Sequence, residues 1–305
     1  MLERIQEQKN KNLLRTGLLL LGMLVLLLAV GLLLIGPKGM VWMGVFGIVL
    51  AMLGLQVPTE TIMRLYRAKP LSESEAPYLN RIILQLANKA DLKQVPQLYY
   101  IASNSVNAFA TGRQSDPGIA VTYGLLRQLN VKEVTAVLAH ELSHIRNNDM
   151  RLKGLTTIMG RMTRTFSLVG QLLLFINLPL LIMGEETFPW LGVLLLIVAP
   201  FLSTAMMLAI SRTREIDADL EAARLTGDPN SLADALQKLD YLNRATALRP
   251  MQYKIPKWLS THPQIDERVA RLRELAPRYE GRINWEALDR FLRQSPFFRQ
   301  TGFWI

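Results

Sequence analysis

No cysteine occurs anywhere in the 305 residues, which excludes disulfides and thiolate metal sites and leaves a cytoplasmic location without objection. Charge is scarce as well: 20% of residues are Asp, Glu, Lys or Arg, against about 25% in an ordinary cytosolic domain. Half of the chain is hydrophobic, so it is too apolar for a simple soluble globule and far too apolar for disorder. Histidine is rarer still, with three in all. No low-complexity tract interrupts the chain, and no internal repeat goes beyond two pairs of apolar stretches. Those stretches, Thr16–Ile35, Gly39–Val57, Thr165–Met183 and Phe188–Ile210, contain no charged residue. About 20 apolar residues cross a ~30 Å hydrocarbon core as a helix, so each is read as a membrane span. What remains is long enough for one domain with a proper core.

The net charge of +10 invites a nucleic-acid reading, but the placement of the charge argues otherwise. Arg4, Lys9, Lys11, Arg15, Arg64, Arg67, Lys69, Arg146, Arg151, Lys153, Arg161, Arg164, Arg212, Arg214 and Arg224 all fall near span ends on one side. The short connections on the other side offer Lys38 and the acidic pair Glu185 and Glu186. This positive-inside asymmetry places both termini, and everything between the second and third spans, in the cytoplasm. No aromatic-interleaved basic patch suggests DNA or RNA. The first span is too long for a signal peptide, and Gly31–Lys38 has no small-x-small cleavage pattern, so an uncleaved anchor is expected.

The spans form two hairpins, turned at Gly36-Pro37-Lys38-Gly39 and at Gly184-Glu185-Glu186-Thr187. The expected organisation is a cytoplasmic segment at 1–15, hairpins at 16–57 and 165–210, and one domain assembled from 58–164 and 211–305. In its first part, Glu73–Ala90 has helical spacing after Ser72, a capping residue. Three β-type runs follow, Gln97–Ile101, Val106–Ala110 and Gly118–Thr122, separated by turn sequence. A helix starts after Asn130, with Glu133 in the capping-box position. In its second part, helix continues out of the fourth span through Leu225 and restarts at Asp228-Pro229-Asn230-Ser231, running to about Leu248. Beyond Arg278, Phe297, Phe298, Phe303 and Trp304 are read as packing on the domain or dipping into the membrane interface.

The chemistry concentrates in His140-Glu141-Leu142-Ser143-His144. At 100° per residue, Val131, Val134, Leu138, Leu142 and Ile145 form one buried stripe, with His140 and His144 one turn apart on the far side and Glu141 displaced beside them. Two imidazoles at i and i+4 can reach one zinc ion at ~2.0–2.1 Å, while the offset carboxylate faces a water. Histidines on a helix face are usually solvated, but two of only three in the chain lie in this pattern with Glu next to the first. A third protein ligand is needed. A His six residues after the second would mark one large class, but Met150 stands there and Asn147 replaces its Gly. Glu215 and Asp219, four apart just beyond the fourth span, are the next candidates. Glu215 is assigned as ligand and Asp219 as the carboxylate orienting a ligand histidine, with Ala218, Ala222 and Ala223 permitting close helix approach. A solvated acidic face supported by Arg212 and Arg214 is the competing reading of the same residues.

With these pieces in order, the chain resembles the HtpX-type membrane zinc metalloproteases, bacterial relatives of the CAAX prenyl endopeptidases. The matching motifs are Asn107-Ala108-Phe109-Ala110, His140–His144, Ser211-Arg212-x-Arg214-Glu215-x-x-Ala218-Asp219 and Thr261-His262-Pro263, spread over nearly the whole chain. Ile216 departs from the family by replacing a common aromatic residue, and the segment 1–15 is longer than in some relatives. The resemblance implies one Zn2+ per chain held by His140, His144 and Glu215, with Glu141 as general base and Asn107, Asp219, His262 and Arg268 around the site. The implied fold is mainly α: four transmembrane helices and a cytoplasmic α+β, gluzincin-like metalloprotease domain with a small β-sheet.

The expected function is a zinc metalloendopeptidase of the bacterial inner membrane, in contact with the lipid bilayer. Its expected substrates are polypeptides, above all misfolded or damaged membrane proteins met in a stress response. Glu141 takes a proton from a water attacking the peptide carbonyl, and His262 or Arg268 donates to the oxyanion. Val106–Ala110, with Asn107, Ala108, Phe109 and Ala110, is read as an exposed edge that binds substrate as an added strand, or else as an ordinary sheet strand. Three alternatives stand beside this reading: a dedicated processing substrate, an intramembrane-cleaving protease and a silent adaptor for unfolded chains. Glu133, Arg146, Asn147, Asn148, Asp149 and Arg151 flank the motif and argue against the intramembrane option; the intact Glu141 argues against the adaptor.

Overall fold

The computed structural model describes residues 2–54, 58–176, 178, 190–246 and 265–278. In chain order the elements are α1 (Leu2–Ile35), α2 (Pro37–Gly54), α3 (Thr59–Leu65), β1 (Lys69–Pro70), α4 (Pro77–Lys89), β2 (Gln97–Ile101), β3 (Ala108–Arg113), β4 (Asp116–Thr122), α5 (Tyr123–Gln128), α6 (Val131–Arg146), α7 (Asp149–Ile176), α8 (Trp190–Thr226), α9 (Pro229–Thr246) and α10 (Ile265–Leu275). They divide into two compact units, Met1–Gln56 with Arg151–Thr213, and Val57–Met150 with Arg214–Ile305. The chain passes from one unit to the other within α7 and within α8.

The first unit is helical. Gly36 alone, at φ 73°, turns α1 into α2, so Lys38 lies in the first turn of α2 and not in a loop as expected. The two helices approach so closely that a Cβ on Gly39 would meet the Gly31 carbonyl oxygen at 2.2 Å. Met23, Leu27, Val30 and Met43 are buried here with Met159 and Met162 of α7 and Leu196 and Ala199 of α8. Two helices, Asn10–Ile35 and Gly192–Thr226, are long and apolar enough among the described residues to cross a membrane, and Pro37–Val49 is a shorter apolar helix. The end of the expected third span, the turn at Gly184–Thr187 and the start of the fourth lie outside the described residues.

The second unit is built on a four-stranded sheet of order β1-β2-β4-β3, with β2 parallel to β4 and the other pairs antiparallel. Strand β3 runs from Ala108 to Arg113, starting two residues later than the sequence suggests and ending three later. Residues expected to be loop are strand because β3 and β4 pair to the very end, Arg113 opposite Asp116, leaving Gln114 and Ser115 as a two-residue turn. Gly112, at φ 91°, makes this possible: a Cβ there would meet the Asp116 carbonyl oxygen at 2.1 Å. Helix α4 begins at Pro77 and not at Glu73, because Ala76 before the proline is held out of the helical region at φ −137°, ψ 63°. Ser72 instead makes a turn, its N–H donating to Glu75 Oε2 at 2.8 Å. Leu79, Ile83, Leu98, Ile119, Leu125, Leu138, Leu142, Leu232 and Leu272 fill the core between sheet and helices.

Candidate metal centre

Helix α6 starts where the capping box predicts. Asn130 Oδ1 accepts from the Glu133 N–H at 3.0 Å, and Glu133 Oε2 accepts from the Asn130 N–H at 2.9 Å. Glu133 is also paired with Lys238 of α9 at 2.6 Å, which fixes α6 against that helix. Val134, Leu138, Leu142 and Ile145 form the expected apolar stripe, while Val131, expected with them, is only half-buried at the first turn. The opposite face is buried too: His140 is 7% exposed and His144 3%. What faces them is the last part of α8. Ala218, Ala222 and Ala223 are buried without remaining exposure above 1%, small enough to bring Glu215 and Asp219 inward. Both carboxylates are at most 5% exposed, so the reading of a solvated acidic face is overturned.

One atom from each of His140, His144 and Glu215 lies within 4.8 Å of the others. His140 Nε2 is 3.4 Å from Glu215 Oε2, and His144 Nε2 is 3.8 Å from Glu215 Oε1. Ligands about 2.0–2.1 Å from one tetrahedral zinc are separated by about 3.3–3.4 Å, so this donor set fits the ion with little adjustment. The two imidazoles stand edge to face, their centroids 4.8 Å apart.

Behind His140, Asp219 Oδ1 lies 3.0 Å from Nδ1, close but too bent to count as a hydrogen bond. Arg268 of α10 grips Asp219 with two donors, Nε to Oδ2 at 2.7 Å and Nη2 to Oδ1 at 2.6 Å, and its Nη1 is 3.1 Å from Glu215 Oε2. With no metal bound, burial opposes charge on His140, but Asp219 and Glu215 outweigh it and raise its pKa to about 9. Burial likewise opposes the Arg268 charge; Asp219, then Glu215 and Glu141, hold its pKa above the ordinary value.

Glu141 Oε2 accepts the Ala110 N–H at 2.8 Å, which ties the candidate base to β3. Among the described residues that strand is at the sheet edge. Asn107 is exposed at its entrance, Ala108 and Phe109 are half-buried, and Ala110 is buried. Thus His140, Glu141, His144, Glu215, Asp219, Arg268 and Ala110 come together, whereas His262 lies outside the described residues. One residue the sequence reading passed over is Asp149, treated there only as a flanking charge. It has no exposed surface, and its Oδ2 is 2.7 Å from His144 Nδ1.

Comparison with known proteins identifies the family. The model of Peptidase family M48 matches residues 73–276. A Protease HtpX homolog of Thermodesulfovibrio yellowstonii is 35% identical, over 87% of this chain and 99% of that protein. Protease HtpX of Legionella pneumophila is 36% identical, over 87% and 99%, and a Protease HtpX homolog of Acidiphilium cryptum is 38% identical, over 87% and 97%. Among solved structures, Ste24p of S. mikatae is similar with a TM-score of 0.52, at 22% identity over 88% of this chain and 66% of that one, a likeness of fold. With a family match that covers most of the chain and relatives matched almost end to end, the chain belongs to peptidase family M48.

Proposed function

We propose that this M48 peptidase is a membrane-bound zinc endopeptidase, with four spans and both termini and the active site on the cytoplasmic side. We further propose that it removes misfolded or damaged membrane proteins. The observation that carries the catalytic reading is the convergence of His140, His144 and Glu215 with Glu141 beside them, all on a buried scaffold. A zinc ion held by these three would supply Lewis acidity to a water and to the scissile carbonyl.

The chain's own groups do the rest. Glu141 takes the proton of the attacking water and returns it to the leaving amine. Its Oε2 is anchored by the Ala110 N–H, which leaves the other oxygen for the water. Asp219, clamped by Arg268, orients His140. Because the Arg268 guanidinium is engaged by Asp219 and Glu215, His262 is the better oxyanion donor.

Strand β3 is the proposed substrate edge. Asn107 and Thr122 are bonded through the backbone, the Thr122 N–H donating at 3.1 Å. Antiparallel alternation then points the Phe109 and Thr111 backbone toward β4 and that of Ala108, Ala110 and Gly112 away from it, to a side with no paired strand among the described residues, where the Ala110 N–H is taken by Glu141. An extended peptide pairing there lies beside Glu141. The decisive experiment measures zinc content and casein hydrolysis in wild type and Glu141→Gln. The variant should keep its zinc and lose roughly 10²–10⁴-fold in turnover. Near-normal turnover would show that Glu141 is not the base.

A further inference from the structure

Asp149 is the fully buried carboxylate beside the site that no step above uses. Its location depends on a break in the backbone. Were α6 to continue, a residue five places after His144 would lie about 140° around the helix and about 7–8 Å further along, out of reach of the imidazole. Instead α6 ends at Arg146, Asn148 adopts the left-handed φ of 56°, and α7 starts at Asp149. That break lets Asp149 Oδ2 meet His144 Nδ1 at 2.7 Å.

The charge is placed at a cost that folding alone does not require. A buried carboxylate loses its hydration, and a neutral residue of similar size would avoid that loss. Here Oδ1 makes no hydrogen bond among the described residues, and Arg214 Nη1 stands off at 3.9 Å while Nη2 of the same side chain pairs with Asp217 at 2.9 Å. The first turn of α7 offers partial compensation through the helix dipole. The two carboxylates behind the histidines therefore differ. Asp219 has its strength divided with Arg268, whereas Asp149 directs its hydrogen bond to His144.

We propose that Asp149 is a positioning residue for the metal. It accepts the Nδ1–H of His144, selects the tautomer whose lone pair is on Nε2, and aims that nitrogen at the space shared with Glu215 and His140. This rests on the zinc reading above and adds to it the residue that holds one of the ligands in register. Loss of such a partner characteristically lowers metal affinity 10–100-fold.

The test uses the full chain in detergent: wild type, Asp149→Ala, Asp149→Asn and, as a control, Asp217→Asn, which removes a buried carboxylate paired with the same arginine and not bonded to His140 or His144. Zinc affinity is measured by chelator competition, with circular dichroism to establish folding. Asp149→Ala should bind zinc 10–100-fold more weakly. Asp149→Asn, whose amide oxygen can still accept, should lose less, and Asp217→Asn should match wild type. In protein labelled with 15N-histidine, the hydrogen-bonded Nδ1–H signal of His144 should be present in wild type and absent from Asp149→Ala, a change that a purely structural residue would not produce. Should Asp149→Ala fail to fold, Asp149→Leu, similar in volume and unable to accept, takes its place. Affinity within roughly twofold of wild type and an unchanged Nδ1–H signal in the folded Ala or Leu variant would overturn the proposal. A wild type that takes up no zinc would instead overturn the metal site itself, and this inference with it.

Discussion

With no metal bound, His140 keeps its proton up to a pH of about 9, against an ordinary histidine value of 6.5. A pKa raised on folding adds stability that is fully present below the unfolded value and disappears as pH rises through the folded one. The metal-free protein should therefore lose this contribution between about 6.5 and 9. Zinc requires the neutral imidazole and competes with the same proton, so its apparent affinity should rise over that window, by about tenfold per pH unit for one proton displaced. Chelator competition at several pH values measures it, and a flat profile would count against His140 as a ligand. Glu215→Ala should lower both zinc content and casein hydrolysis; retention of both would remove Glu215 from the site. These residues were legible because their signals are local: two histidines one turn apart, and two acids one turn apart among alanines. Asp149 was not, because its reach depends on the dihedral angle of Asn148. Arg268 entered only through the family resemblance, since its hydrogen-bond partner Asp219 lies 49 residues away in sequence.

Strand β3 shows how an element can be recognised while its limits are misread. Its hydrophobic alternation marks a strand, but the Gly-Arg-Gln-Ser-Asp-Pro-Gly run looks like a loop until β4 is set opposite it. Pairing supplies the missing information, and it also decides which backbone groups are free. Because the Ala110 N–H points to Glu141 and away from β4, Ala110→Pro removes that bond without removing a rung of the β3–β4 ladder. Proline is tolerated at such edge positions. The variant should hold zinc as tightly as wild type yet hydrolyse casein at least roughly tenfold more slowly, through a displaced Glu141 and a blocked edge. Unaltered turnover would show that β3 neither fixes the base nor receives substrate. Helix α4 teaches a similar lesson: its apolar spacing was visible, but its start is set by Pro77, which excludes the preceding residues from the helix.

At the scale of the whole molecule, the apolar stretches and their charged flanks made a membrane protein legible, while the way the polar blocks combine emerged only from the motifs. Reporter fusions at Met1, Ile305 and the Gly184–Thr187 turn test the topology; an external Ile305 would reverse it. A second prediction concerns α8, one helix from Trp190 to Thr226 that includes Glu215. Replacing Thr165–Ile210 with a flexible linker should abolish zinc binding, whereas deleting Met1–Val57 should leave residual activity in detergent. A linker variant that binds zinc and cleaves casein would mean the spans serve as anchors alone.

The order of the ligands along the chain also bears on biosynthesis. His140 and His144 are translated before the second apolar pair, and Glu215, Asp219 and Arg268 after it. On the proposed ligand set, a chain still on the ribosome at the third span has Glu141 and two imidazoles but lacks Glu215 and Arg268. Such a chain should hold zinc poorly and hydrolyse nothing until its second half is made, and casein cleavage by a fragment ending before Glu215 would contradict that.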